Sequence, residues 1–210
     1  MHKGAGLVVF GFGGHARSVA DIALSAGYSS LMFIDANARE NETFLGHPVL
    51  PHMPAAFPAG WSCIAASGDN SSRAQQIRSI QDSGWPLATL VAPTASIGAG
   101  ASIGPGTVVA HHAHVGPLAK VGTGVIVNTG AIVEHDCIIG DFVHVSVNAT
   151  AAGRARLGDF VFLGAGATVI DGSSVGREIT VGAGAVVVRP LEISGTYVGV
   201  PAVRLDKALE

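Results

Sequence analysis

The chain has 210 residues, enough for one large domain or two small ones, and 48 % of them are hydrophobic against 13 % charged. That balance excludes a disordered chain. A net charge of −3 without any basic run argues against nucleic acid as a partner, and no stretch approaches the length of a membrane span.

The first ten residues hold one lysine and a short apolar run that leads into a glycine turn, so they read as a strand and not as a signal peptide. Leu7–Phe10 predicts that first strand. Gly11-Phe12-Gly13-Gly14 follows, then an amphipathic helix from His15 to Ala26. Leu31–Ile34 predicts a second strand ending at Asp35, and Cys63–Ala66 a third ending in Ser67-Gly68-Asp69. Asn70 or Ser71 is expected to cap a second helix that runs to about Asp82. Strand, glycine turn, helix and strand make a small parallel, Rossmann-like α/β unit over residues 1–89. The turn Gly11–His15 can cradle a diphosphate at a helix start, and Asp35 stands where an acid meets a ribose or base. The third glycine of a dinucleotide fingerprint is missing, so NAD is a distant reading, and a purely structural turn is the bland one.

From Val91 onward the pattern changes. Every sixth residue from Val91 to Val187 is Val, Ile or Leu except Ala151, which is sixteen of seventeen positions. Neither a helix nor an alternating strand has that period. It predicts a solenoid of parallel coils over residues 90–190, with one large residue in six pointing into a narrow core. The position after each core residue is often glycine, and these small residues are expected to bend the chain at the corners. Residues 191–210 are expected to pack on the last coils.

Glu134-His135-Asp136 lies between core positions Val133 and Ile139 and must point outwards, because the core is too thin to hold it. Imidazole titrates near neutral pH, so a histidine beside a carboxylate is a candidate general base; the alternative is a solvated turn. His144 is nine residues further on, half an eighteen-residue coil, and therefore on another face of the prism. A face of six residues spans roughly 20 Å. The two histidines can share a site only across subunits, which points to a symmetric trimer. His111-His112-x-His114 reads more simply as exposed turn histidines than as zinc ligands. Cys63 and Cys137 read as reduced, buried thiols of a cytoplasmic protein, and Cys137 is a poor nucleophile beside His135.

The segment from Asn128 to Cys137, the N-terminal Gly-x-Gly-Gly-His and the C-terminal Gly199-Val200-Pro201-Ala202 resemble the sugar O/N-acyltransferases of the left-handed β-helix class. These include sialic-acid O-acetyltransferases and the UDP-amino-sugar N-acetyltransferases of bacillosamine synthesis. The resemblance covers nearly the whole chain. It implies a left-handed parallel β-helix and a homotrimer with active sites between subunits. It implies acetyl-CoA as co-substrate, no metal, and His135 as proton acceptor supported by Asp136. It further implies acetyl-CoA contacts at His144, Ala165 and Ala183, and a nucleotide-sugar site at Gly13, Gly14, His15, Asp35, Ala36 and Gly68. The reaction expected is N-acetylation of a UDP-linked 4-amino-4,6-dideoxy sugar. O-acetylation of sialic acid and a non-catalytic nucleotide-binding trimer are the rivals.

Overall fold

The computed structural model describes residues 6–205. The expectations for residues 1–5 and 206–210 lie outside the described residues.

The N-terminal unit is built as its pattern requires. β1 (Gly6–Phe10), β2 (Ser30–Ile34), β4 (His47–Leu50) and β5 (Ser62–Ala65) are parallel, and β3 (Thr43–Phe44) pairs antiparallel with β4. The sheet order is β3-β4-β2-β1-β5. The β3–β4 hairpin was not legible because its strands are short and one contains Pro48. Its turn is made by Leu45 and Gly46, both with positive φ. α1 (Gly14–Ser25) buries Ala16, Val19, Ala20, Ile22 and Ala23 against the sheet. α2 (Asn70–Asp82) is capped by Asp69, whose carboxylate accepts from the Ser72 N–H at 2.8 Å. The expected caps were Asn70 and Ser71; both belong to the helix, and the capping oxygen comes from the residue before them.

The solenoid follows the six-residue register, with two-residue strands on three faces. The first face stacks Leu90–Val91, Val108–Val109, Ile126–Val127, His144–Val145, Phe162–Leu163 and Ile179–Val181. The second runs from Ser96–Ile97 to Val186–Val187 and includes Ile132–Val133. The third runs from Ser102–Ile103 to Ser174–Val175. Each strand pairs in parallel with the one eighteen residues on, so three strands close one coil. Val109, Val127, Val145 and Leu163 are fully buried in the core, as are Val133 and Ala151 on the second face.

The bend at each corner is made by a different residue from the one expected. From Gly100 to Gly184 the residue three after each core position adopts left-handed φ, at Gly100, Gly106 and Gly124 but also at Leu118, Asp136, Phe142, Asn148 and Arg154. A glycine directly after a core residue serves another purpose. At Gly116 a Cβ would lie 2.6 Å from the backbone nitrogen of His135 on the next coil. Such glycines let the coils stack; the left-handed residues turn them.

The two units share a core. Leu90, Val108 and Ile126 point outwards from the first face, yet all are buried, and Leu90 and Val108 share one apolar cluster with the N-terminal unit. At the far end Gly195–Val198 adds in parallel to Ile179–Val181, and Val203–Arg204 closes that sheet antiparallel.

Candidate active site

Two sets of predicted residues come together, at different places. At the C-terminal ends of β1, β2 and β5 lies a cavity of about 430 Å³ bordered by Gly11–His15, Asp35, Ser67 and Gly68. This is the crevice beside the point where the chain crosses from one side of β1 to the other. Gly11 has φ of 104°, open to glycine at little cost. Gly13 and Gly14 have no atom within 4 Å of where a Cβ would stand, so a ligand can approach their backbone. α1 has no side-chain cap, which leaves its first N–H groups to face the cavity. Asp35 holds this turn in shape: its Oδ2 accepts from Phe12 N–H at 2.8 Å and its Oδ1 from Asn37 N–H at 2.9 Å. Ala36 is exposed on the turn that follows.

Gly68 joins this cavity to the solenoid. Its carbonyl lies 3.0 Å from Nδ1 of His144, and Nε2 of His144 lies 3.1 Å from Nδ2 of Asn128. An amide NH₂ can only donate, so Nε2 accepts and Nδ1–H donates to Gly68. The His144 ring is 6 % exposed, and burial, with the Arg73 charge nearby, lowers its pKa to about 4 against the pull of Gly68. The His15 ring lies tilted beside it, ring centres 5.9 Å apart, and burial lowers its pKa to about 4 as well. Both rings are neutral at pH 7. The signal for this burial was in the sequence: outward positions of the first face are Leu90, Val108, Ile126 and Phe162, while the third face shows Ser102, Lys120 and Arg156. An outward face that apolar must be covered.

Arg73, and Asn70 in a role other than the expected cap, are the buried polar tie between the units. Arg73 is fully buried; its Nε donates to Gly124 O at 2.6 Å, Nη2 to Phe142 O at 2.9 Å and to Asn70 Oδ1 at 2.8 Å, and Nη1 to Ser67 O at 3.1 Å. Asn70 Nδ2 donates to Phe160 O at 3.0 Å. Burial lowers the guanidinium pKa to about 10, which leaves it charged at neutral pH. A buried cation ringed by carbonyl oxygens keeps its hydrogen bonds without a carboxylate partner.

His135 and Asp136 stand at the corner between the second and third faces. Their side chains are 47 % and 50 % exposed, and Nδ1 of His135 lies 2.9 Å from Oδ2 of Asp136. A carboxylate beside Nδ1 holds the proton there and leaves the lone pair on Nε2, the arrangement a general base needs. Asp136 has φ of 58°, so the left-handed corner is what turns its side chain back onto its neighbour. Hydrogen bonds to adjacent coils fix the corner: Asp136 N–H donates to Pro117 O at 3.0 Å and Arg154 N–H to His135 O at 2.9 Å. Glu134 is half-buried, and its carboxylate accepts from the His135 N–H at 3.2 Å.

Ala165 and Ala183 occupy another corner, between the first and second faces, one above the other and exposed; Gly184 N–H donates to Ala165 O at 2.9 Å. They form a smooth edge without large side chains. Within one chain His135 thus stands at one edge of the second face and the two alanines at the other, while His144 is inside the seam with the N-terminal unit. Cys137 is buried, burial raises its pKa to about 11, and its thiol donates to Ala152 O at 3.1 Å. Of the three histidines expected on exposed turns, only His112 is so placed: His111 is half-buried, 3.3 Å from Asp21, and His114 starts the strand His114–Val115, 2.7 Å from Ser96 Oγ. Among the described residues no three His, Cys, Asp or Glu side chains converge as metal ligands do, and no helix is long and apolar enough to cross a membrane.

The PglD N-terminal domain family matches residues 6–80. No curated protein matches the chain. Among solved structures, the chain is similar to the acetyltransferase domain of PglB from Neisseria gonorrhoeae FA1090. The identity is 35 %, the TM-score 0.89, and the match covers 95 % of this chain and 99 % of that one. The same domain in complex with acetyl coenzyme A matches at 34 % identity and TM-score 0.88, over 96 % and 100 % of the two chains. A GDP-perosamine N-acetyl transferase variant from Caulobacter crescentus, in complex with CoA and GDP-perosamine, matches at 30 % identity and TM-score 0.84, over 96 % and 97 %. With a glycine-turn crevice at one end, a histidine–carboxylate corner on a solenoid at the other, and whole-length similarity to these enzymes, the chain belongs to the left-handed β-helix family of sugar N-acetyltransferases.

Proposed function

We propose that the protein transfers the acetyl group of acetyl-CoA to the amine of a nucleotide-linked amino sugar, with His135 as general base. The observation that carries this reading is the His135–Asp136 contact of 2.9 Å on an exposed corner, with Nε2 turned away from the carboxylate. Structures of relatives that hold acetyl coenzyme A, or CoA with GDP-perosamine, support it. His135 takes a proton through Nε2 as the amine nitrogen bonds to the thioester carbonyl carbon. The tetrahedral intermediate then collapses, the carbon–sulfur bond breaks, and the departing thiolate receives that proton. An amine needs no covalent acyl-enzyme, and Cys137, buried and protonated, is not part of the step.

Residues 1–89 serve in this reading as the handle for the nucleotide, bound at Gly13, Gly14, His15, Asp35, Ala36 and Gly68. Residues 90–190 carry the transfer. Acetyl-CoA lies along the corner of Ala165 and Ala183, with His144 at its inner edge. Because that corner and His135 are separated by a full face, the working unit is a homotrimer in which two copies complete each site. A UDP-linked 4-amino-4,6-dideoxy sugar is the leading substrate, and two free, buried cysteines suit a cytoplasmic enzyme.

The test is thiol release from acetyl-CoA with UDP-, GDP- and dTDP-linked amino sugars, for wild type and His135→Ala. Amine-dependent turnover that falls about 10²- to 10⁴-fold in the variant is the expected result. Unchanged turnover in the variant refutes His135 as base, and turnover only with a sugar hydroxyl refutes N-transfer.

A further inference from the structure

Glycines in the solenoid occur for two reasons, and Gly153 fits neither. Those directly after a core residue avoid the next coil: at Gly116, Gly158 and Gly164 a Cβ would lie 2.6, 2.6 and 2.7 Å from a backbone nitrogen. Those three after a core residue, such as Gly124, Gly130 and Gly166, take left-handed φ of 63–66°. Gly153 is two after the core residue Ala151, and its φ lies outside the left-handed region. What a side chain there would meet is the imidazole of His135, eighteen residues earlier. A Cβ would stand 2.5 Å from Nε2 and 2.7 Å from Cε1, with Asp171 Oδ1 at 3.0 Å on its other side.

We propose that Gly153 is a positioning residue for acetyl transfer: the space left by its missing side chain is the seat of the His135 ring. This rests on the reading of His135 as the base. The ring lies back across the next coil, with Nδ1 on Asp136 and Nε2 over Gly153. A methyl group at 153 cannot displace the backbone, because coil-to-coil hydrogen bonds fix it on both sides: Arg154 N–H to His135 O at 2.9 Å and Gly172 N–H to Gly153 O at 2.8 Å. The half-exposed imidazole is the part free to give, and it swings outwards about χ1, away from Asp136. The fold survives and the base is misplaced.

The experiment compares wild type, Gly153→Ala, His135→Ala and the double variant by steady-state thiol release, thermal unfolding and NMR of ring-¹⁵N histidine, with the His135 signal assigned by its loss in His135→Ala. Gly153→Ala is expected to lower kcat about 10²-fold, as an ångström-scale misplacement does, with the acetyl-CoA KM and the unfolding midpoint preserved. The His135 ring signal moves while those of His15 and His144 stay. The double variant is no slower than His135→Ala alone, since the two act through one group. A wild-type kcat in Gly153→Ala, losses that multiply in the double variant, or an unmoved His135 signal overturns the proposal. Wild-type turnover in His135→Ala instead refutes the base, and the ring signal still reports whether Gly153 seats the imidazole.

Discussion

Acid should loosen the seam between the two units through His144. Burial holds its ring neutral, against the pull of Gly68, with a pKa of about 4 in the folded chain against 6.5 for a free imidazole. Above pH 6.5 both states are neutral and the group has no effect on the pH dependence. Between 6.5 and 4 the unfolded chain binds a proton that the folded chain refuses, so folding stability falls as pH falls. Each pKa unit corresponds to about 1.4 kcal/mol, which makes the loss about 2–3 kcal/mol by about pH 4.5. Other histidines also respond to acid, so the informative quantity is a difference. His144→Asn keeps an amide that can donate to Gly68 O and removes the titration. Urea unfolding from about pH 7.5 down to about pH 4.5 should show wild type losing about 2–3 kcal/mol more than the variant, each relative to its own neutral value. Parallel profiles would show that burial does not hold His144 neutral, and would refute the reasoning.

Arg73→Met should leave Gly124 O and Phe142 O without their donor and cost about 3 kcal/mol, seen as a midpoint some 6–12 °C lower in a thermal melt. A change under about 0.5 kcal/mol would mean that water replaces the guanidinium. Burial raises the thiols of Cys63 and Cys137 to about 12 and about 11. A thiol reagent at about pH 8 should therefore label neither cysteine in the native protein and both in denaturant, counted by mass. Leu118 is 59 % exposed with φ of 60°, so Leu118→Gly relieves a strained corner. It should raise stability by about 1 kcal/mol in urea unfolding.

The solenoid was legible because its core admits one large residue per strand, and sixteen of seventeen positions from Val91 to Val187 obey that. The outward aim of Glu134-His135-Asp136 followed from the same thinness of the core. Less was legible where one residue type serves two needs. Glycine marks both coil stacking and corner turning, one and three residues after a core position, and composition alone does not say which does which; Leu118 and Phe142 turn corners with no sequence mark at all. His144 sits at an outward register position, and its burial depends on what covers that face. Nothing in the sequence marks Arg73 as the tie between the units, because its acceptors are backbone oxygens 51 and 69 residues away. Gly153 becomes conspicuous only once the eighteen-residue coil is known and His135 is counted forward.

The contacts of Arg73 and Asn70 reach Gly124, Phe142 and Phe160, which belong to three successive coils. A body pinned to three rungs in a row could still swing about the line through them, but the apolar seam, with Leu90 and Val108 in one cluster with the core of the N-terminal unit, blocks that swing. In the proposed function, a nucleotide seated at Gly13 and Gly14 is therefore held at a set distance from His135 of its own chain. The protein becomes a gauge: reach must come from the ligand itself, from the number of bonds between its base and its amine. Shortening the phosphate linkage by one unit should then harm turnover more than altering a ring hydroxyl, because nothing in the protein can close the gap.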